Sequence, residues 1–165
     1  MKGEEVELVS DYKYLGVNLD CKLNWHTQAS SVFSKSNKKL YFVRKLCSFN
    51  VDKTLISLFC KSTIISIVSF CLAAYGGNIR KVDKIKIDGV LKKISKMSNR
   101  SMVSFDDLFY EQCTRNLKTI LNDCTHPLFS QIKTSAHSGC LLHIHAKRER
   151  YKNSFLPTAI RHFCS

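Results

Sequence analysis

Acidic residues are scarce in this sequence: 13 Asp and Glu stand against 26 Lys and Arg, leaving a formal net charge of +13. A charge so lopsided repels itself and calls for an anionic partner, either nucleic acid or an anionic membrane surface. The scarcity is also uneven. Glu4, Glu5, Glu7, Asp11 and Asp20 sit in the first twenty residues, and the middle and end carry the positive excess. An apolar run at the start is lacking as well, since Met1-Lys2-Gly3-Glu4-Glu5 is acidic where a secretory signal needs hydrocarbon. The eight cysteines are therefore expected to be reduced thiols of an intracellular protein, nuclear or cytoplasmic, and not a secreted disulfide framework. Cys47, Cys60, Cys71 and Cys113 fall at apolar positions of helical patterns, where a thiol acts as a small hydrophobe.

Other absences narrow the chemistry. No Gly-x-Ser-x-Gly, phosphate-binding loop or His-Glu-x-x-His string occurs. No His is followed two places on by Asp or Glu, as a facial iron site requires. The sole adjacent glycines, Gly76-Gly77, follow a helical pattern where a dinucleotide or methyl-donor fold needs a strand. Internal repeats are absent too. Hydrophobic residues still make up 44% of the chain, enough for one folded core.

Residues 5–19 alternate, with Val6 and Leu8 in a first run and Asp11 between the runs. The pattern predicts a β-hairpin with Leu15, Val17 and Leu19 as its buried face. Helical spacing then takes over. Ala29, Phe33, Leu40, Val43 and Cys47 form a stripe interrupted by Ser36. Asp52 is a plausible N-cap for a helix reaching about Ala74, apolar nearly all round and so expected at the centre. This stretch carries Lys61 with Ser57, Ser62, Thr63, Ser66 and Ser69, which argues for a core helix and against a membrane span. Gly76-Gly77-Asn78 is expected to cap its C-terminus. A third helix is predicted from Arg80 to Met97, with Val82, Ile85, Val90, Leu91, Ile94 and Met97 inside. The polar stretch 98–103 precedes a fourth, begun by a capping box of Ser104 and Asp107. That helix carries Leu108, Cys113, Leu117, Ile120, Leu121 and Cys124 and is stopped by His126-Pro127. Residues 134–154 are expected to form an exposed basic arm and 155–163 a short apolar closing element.

The fold class expected is thus mainly α: an N-terminal β-hairpin, a bundle of about four helices and a basic, partly irregular C-terminal arm. The divisions are 1–24, 25–130 and 131–165.

Two clusters tempt a catalytic or metal reading. Asp106-Asp107 follows Phe105 directly and opens a helix, whereas two-metal polymerisation needs carboxylates on a strand hairpin with a third nearby. Acids in a first helical turn are expected from the helix dipole alone. Cys124-x-His126 and Cys140-x-x-His143-x-His145 hold zinc-type ligands at spacings of no common finger. Neither cluster is assigned a catalytic or metal role, and no cofactor is expected.

The positive signal is basic helices with aromatics interleaved. Lys35, Lys38, Lys39, Arg44 and Lys45 should line one surface. Arg80, Lys81, Lys84, Lys92, Lys93 and Lys96 line another, with Arg100 closing that run. Lys147, Arg148 and Arg150 lie on the arm, beside Lys152. With Tyr41, Phe42 and Tyr151 among them, these residues suit phosphate contact and base stacking without sequence reading.

Several strings, in order, resemble the region after the palm in reverse transcriptases of non-LTR (LINE-type) retrotransposons. They are Tyr12-Lys13-Tyr14-Leu15-Gly16-Val17, Leu23-Asn24-Trp25, Lys39-Leu40-Tyr41-Phe42-Val43-Arg44-Lys45-Leu46, Ala74-Tyr75-Gly76-Gly77-Asn78, His126-Pro127-Leu128, and Asn153-Ser154-Phe155-Leu156-Pro157-Thr158-Ala159-Ile160-Arg161. The resemblance implies a thumb that grips a template–primer duplex or RNA/DNA hybrid, with Tyr14, Leu15 and Gly16 as a primer-grip-like element. It also implies a palm, possessed by the parent polymerase, as a partner. The palm's aromatic-x-Asp-Asp box does not occur here. A second resemblance covers Leu19-Asp20-Cys21-Lys22-Leu23-Asn24-Trp25 through Leu46-Cys47-Ser48-Phe49-Asn50-Val51. It is to a small module at the N-terminus of an AlkB-type dioxygenase homologue with a tRNA methyltransferase part. It implies an association with tRNA modification and no catalytic residues of the module's own.

Overall fold

The computed structural model describes residues 9–99, 101, 103–135 and 140–164. Val6 and Leu8 of the expected first strand run, the acids Glu4, Glu5 and Glu7, and Arg100 lie outside the described residues. The chain is mainly helical, entered through an antiparallel hairpin.

In that hairpin β1 (Asp11–Tyr14) pairs with β2 (Val17–Asp20), Tyr12 opposite Leu19 and Tyr14 opposite Val17. Leu15 and Gly16 form the turn with φ of 45° and 87°, the two left-handed residues a tight hairpin turn requires. The turn overturns the expected buried face. Alternation does not run through it, so Leu15 is 78% exposed while Val17 is buried. Asp11 opens β1. The hairpin meets the first helix through polar groups. Asn18 donates from its backbone N and its Nδ2 to Gln28 Oε1 (2.9 and 3.2 Å), and Thr27 Oγ1 donates to Asp11 Oδ1 (3.0 Å). The Asp20 carboxylate accepts from the backbone N of Lys22, Asn24 and Trp25, fixing the link to that helix.

Helix α1 (His26–Ser48) buries Gln28, Ala29, Val32, Ser36, Leu40 and Val43. Ser36, expected to interrupt the stripe, lies within it, and its buried hydroxyl has no hydrogen-bond partner among the described residues. Phe33 and Cys47 sit at the stripe's half-buried edge.

The expected single helix from Asp52 to Ala74 is broken. Asp52 does cap it, accepting from Thr54 N at 2.8 Å. Helix α2 (Lys53–Cys60) then opens into a π-turn (Lys61–Ile65) and closes into α3 (Ser66–Ser69). Cys71, at φ 52°, separates this from α4 (Leu72–Tyr75), which is followed by a 3₁₀ turn (Gly76–Asn78). The hydroxyls of Ser62 and Thr63 both donate to Phe59 O, and that of Ser66 to Ser62 O, in competition with the regular ladder. The detour has a packing consequence. The buried residues Ile56, Cys60, Ile64, Val68 and Leu72 recur every fourth position. A regular α-helix turns such a row away from the core by about 40° per step, and the wider π-turn brings it back. Only this face is buried. Leu55, Leu58 and Phe70 are exposed, so the segment is not central on all sides. Cys71 is exposed too, unlike the buried Cys60 and Cys113.

The paired glycines do not form a left-handed cap; Gly76 is right-handed helical, with φ −60°. They permit close approach. A Cβ on Gly77 would lie 1.8 Å from Asn153 O, and one on Gly76 would lie 2.5 Å from Phe109 Cδ2.

Helix α5 (Lys81–Ser98) packs along α1 and buries Asp83, Ile87, Val90, Leu91, Ile94 and Ser98. Val82 and Ile85, expected inside, face solvent. The helix is rolled so that Asp83 meets α1. Helix α6 (Phe105–Leu121) starts with the expected capping box of Ser104 and Asp107. It ends ahead of His126-Pro127, and Cys124 is exposed beyond it. A short α7 (Glu149–Lys152) lies within the expected irregular arm. The predicted closing element is α8 (Phe155–Phe163), which packs on α6. Its Leu156, Ala159 and Ile160 join the core cluster that holds Leu40 and Val43 of α1.

Candidate nucleic-acid interface

The cations on α1 and those on α5 are differently placed. At the start of α5, Arg80 Nε donates to Asp83 Oδ2 (2.8 Å), and His26 Nδ1 of α1 lies 3.0 Å from the same oxygen, against the Arg80 guanidinium. Lys86 Nζ is 3.8 Å from Asp83 Oδ1. Burial alone pushes the Asp83 carboxyl up. The hydrogen bonds and positive charge of Arg80 and His26 outweigh burial and hold it below the ordinary carboxylate value. Lys84 Nζ lies 2.5 Å from Asp106 Oδ2. Arg80 and Lys84 thus spend their charge inside the molecule. Lys81, Lys92, Lys93 and Lys96 are exposed and form no salt bridge among the described residues.

Helix α1 contrasts with this. Lys35, Lys38, Lys39, Arg44 and Lys45 are all exposed, and none has a salt bridge among the described residues. No acid occurs anywhere from Cys21 to Val51. Tyr41 and Phe42 stand among these cations, 57% and 50% exposed, with ring centroids 5.6 Å apart edge to face. Lys39 Nζ lies 5.6 Å from the Phe42 centroid and Lys45 Nζ 5.9 Å from that of Tyr41. Spacing explains the grouping. Tyr41 and Phe42 each lie three or four residues from both Lys38 and Lys45, so all four share the face opposite the buried stripe.

Lys147 and Arg148 are exposed on the arm. Arg150 is tethered: its Nη2 donates to Lys22 O (3.1 Å), and its own carbonyl accepts from Asn78 Nδ2 (3.1 Å). The primer-grip-like Tyr14, Leu15 and Gly16 form an exposed tip, with Gly16 against the Phe70 ring.

The tempting acids are structural. Asp106 pairs with Lys84, and Asp107 belongs to the helix cap, where the Ser104 hydrogen bonds hold its carboxyl below the ordinary value. His126 Nδ1 accepts from Leu128 N at 3.1 Å. Among the described residues, no three His, Cys, Asp or Glu side chains gather to ligate one ion.

Sequence reasoning missed the His26–Arg80–Asp83 cluster. Its one available signal was Asp83 itself, the first acid after Asp52 in a stretch otherwise free of them. It also missed a cleft of about 210 Å³ between the π-turn and α5, because the residues lining it, Ser57 and Ser98 among them, look unremarkable in one dimension. No protein-family model, curated protein or solved structure matches this chain.

Proposed function

We propose that this chain is a noncatalytic, sequence-independent nucleic-acid-binding module, the thumb-type C-terminal region of a retrotransposon reverse transcriptase. The observation that carries the binding is the outer face of α1. Lys35, Lys38, Lys39, Arg44 and Lys45 surround the exposed Tyr41 and Phe42, and no acid among the described residues pairs with them. Unpaired cations attract phosphates by releasing condensed counterions, and exposed rings accept any base face. Lys81, Lys92, Lys93 and Lys96 on α5, with Lys147 and Arg148 on the arm, extend the positive surface. The polymerase origin rests on the ordered strings from Tyr12-Lys13-Tyr14-Leu15-Gly16-Val17 onward, and an intracellular setting accords with it.

The test is binding to a random-sequence RNA/DNA hybrid, followed by fluorescence polarisation across a salt series. Five to eight phosphate contacts give a log–log salt slope of about −4 to −7. A flat salt response removes the proposal. Preference for a tRNA over the hybrid at matched salt points instead to the AlkB-homologue type of module.

A further inference from the structure

The cleft between the π-turn and α5 has the makings of a site for one unstacked nucleobase. Its volume, about 210 Å³, is below that of clefts taking drug-sized ligands. Leu91 and Ile94 of α5 and Ile65 of the π-turn supply apolar walls. Two serines with little residue exposure line it, and their hydroxyls are its polar groups. Ser57 is 8% exposed, and its hydroxyl has no hydrogen-bond partner among the described residues, so it is free both to donate and to accept. Ser98 already donates to Ile94 O at 3.0 Å, which leaves it able only to accept. Lys61 lines the same cleft, exposed and without a salt bridge among the described residues. The π-turn is itself a departure from regular helix of the kind frequent at functional sites.

We infer that this cleft captures a single flipped or single-stranded base, preferring those with an exocyclic amino group, while Lys61 holds the adjoining phosphate. Apolar walls receive the base faces, and its polar edge meets Ser57 and Ser98. An amino group supplies the donor that the acceptor-only Ser98 needs, and a ring nitrogen accepts from Ser57. Adenine and cytosine carry both groups. Lys61 is the cation on the cleft's rim; Lys92, Lys93 and Lys96 lie on the outer side of α5, away from the residues that line it. The inference rests on the nucleic-acid reading above and adds to it the class of ligand, an amino-bearing base out of its stack.

A single strand carrying one 2-aminopurine among thymines tests it, since this base brightens when it leaves a stack and is quenched on an aromatic ring. The full-length protein should brighten the probe severalfold. Ser57→Val, which fills the space and removes the hydroxyl, should abolish the brightening while leaving overall strand affinity within about twofold, one lost base contact among many phosphate contacts. Lys61→Gln, at an exposed position that cannot unfold the core, should raise the concentration needed for half-maximal brightening. A strand that binds without brightening overturns the inference and leaves the phosphate reading standing. So does brightening that survives in folded Ser57→Val, or that Lys61→Gln does not weaken. Failure of any strand to bind overturns both.

Discussion

Helices α1 and α5 lie side by side, and both are rich in lysine, yet their charges do different things. On α5, Arg80 and Lys84 hold Asp83 and Asp106, and Lys86 stands near Asp83. On α1 the five cations meet no acid among the described residues. Counting charge along a sequence therefore overstates how much of it is available to a partner. Three of the seven cations from Arg80 to Lys96 are internal wiring. The α1 signal is unspent, and with two exposed rings beside it, it forms the better-defined surface.

The sharpest way to break this contrast is to remove the acid at its centre. Asp83→Ala strands Arg80 and His26 and unpins the start of α5 from the start of α1. Removing one member of a buried ionic cluster costs about 3–5 kcal/mol. The lower end applies because Arg80 and His26 are half-exposed and can rehydrate. Chemical denaturation should report that loss. Asp83→Asn adds a pH signature. A carboxyl depressed in the folded state contributes stability that is present above the unfolded value of about 3.9 and is lost as pH falls through the folded value. The Tm gap between the parent and Asp83→Asn should hold near neutral pH and narrow below about pH 4. A gap constant down to strong acid contradicts the depressed carboxyl.

Next in size is the unspent charge. Changing Lys35, Lys38, Lys39, Arg44 and Lys45 together to Gln should flatten the log–log salt slope by about 4.5, at about 0.9 per lost phosphate contact. Thermal stability should stay nearly unchanged, because these side chains are exposed and hold no salt bridge among the described residues. An unaltered slope would move the interface off α1.

The rings should behave differently from the lysines beside them. Tyr41→Ala and Phe42→Ala should each weaken single-strand binding by about 1–3 kcal/mol and leave the salt slope as it was, since stacking releases no counterions. Binding to a fully paired duplex, whose bases are already stacked, should change less. Equal losses on both substrates would assign the rings to packing and not to stacking.

Which features were legible in the sequence follows only in part from their range. The N-terminal capping signals, which are local, read true; the Gly76-Gly77 pair, the hydroxyls at the π-turn and Leu15, equally local, did not. Asp52 and the Ser104–Asp107 box cap the helices expected of them, and α8 occupies the residues foreseen for the closing element. What depends on a distant partner did not. Val82 and Ile85 form a plausible apolar face, but α5 is rolled by Asp83, whose ligand His26 lies on another helix. The segment after Asp52 is apolar enough for one helix. Its Ser and Thr hydroxyls redirect the ladder at a point hydropathy cannot register. Leu15 carries an apolar side chain into a turn position that any alternation rule assigns to the core. At the interface the cations were all visible, and their division into paired and unpaired was not, because it depends on which acid folds back beside each one.

The smallest expected effect separates the two helices most cleanly. Lys84 carries the same charge as Lys38 and was an equally good phosphate ligand on sequence grounds. It differs in having Asp106 2.5 Å away. Because both partners of that pair are partly exposed, losing it should cost no more than about 0.2–1 kcal/mol of stability. Lys84→Gln also frees the Asp106 carboxylate, so the local field near the start of α6 becomes more negative. If Lys84 is internally committed, nucleic-acid affinity should fall by less than about twofold and the salt slope should move by well under the 0.9 expected for a lost phosphate contact. Lys38→Gln, made alongside, should shift the slope by close to that full amount with no cost in stability. Should the two variants shift the slope equally, the ion pair gives way to phosphate when nucleic acid arrives, and the distinction between committed and available charge loses its force.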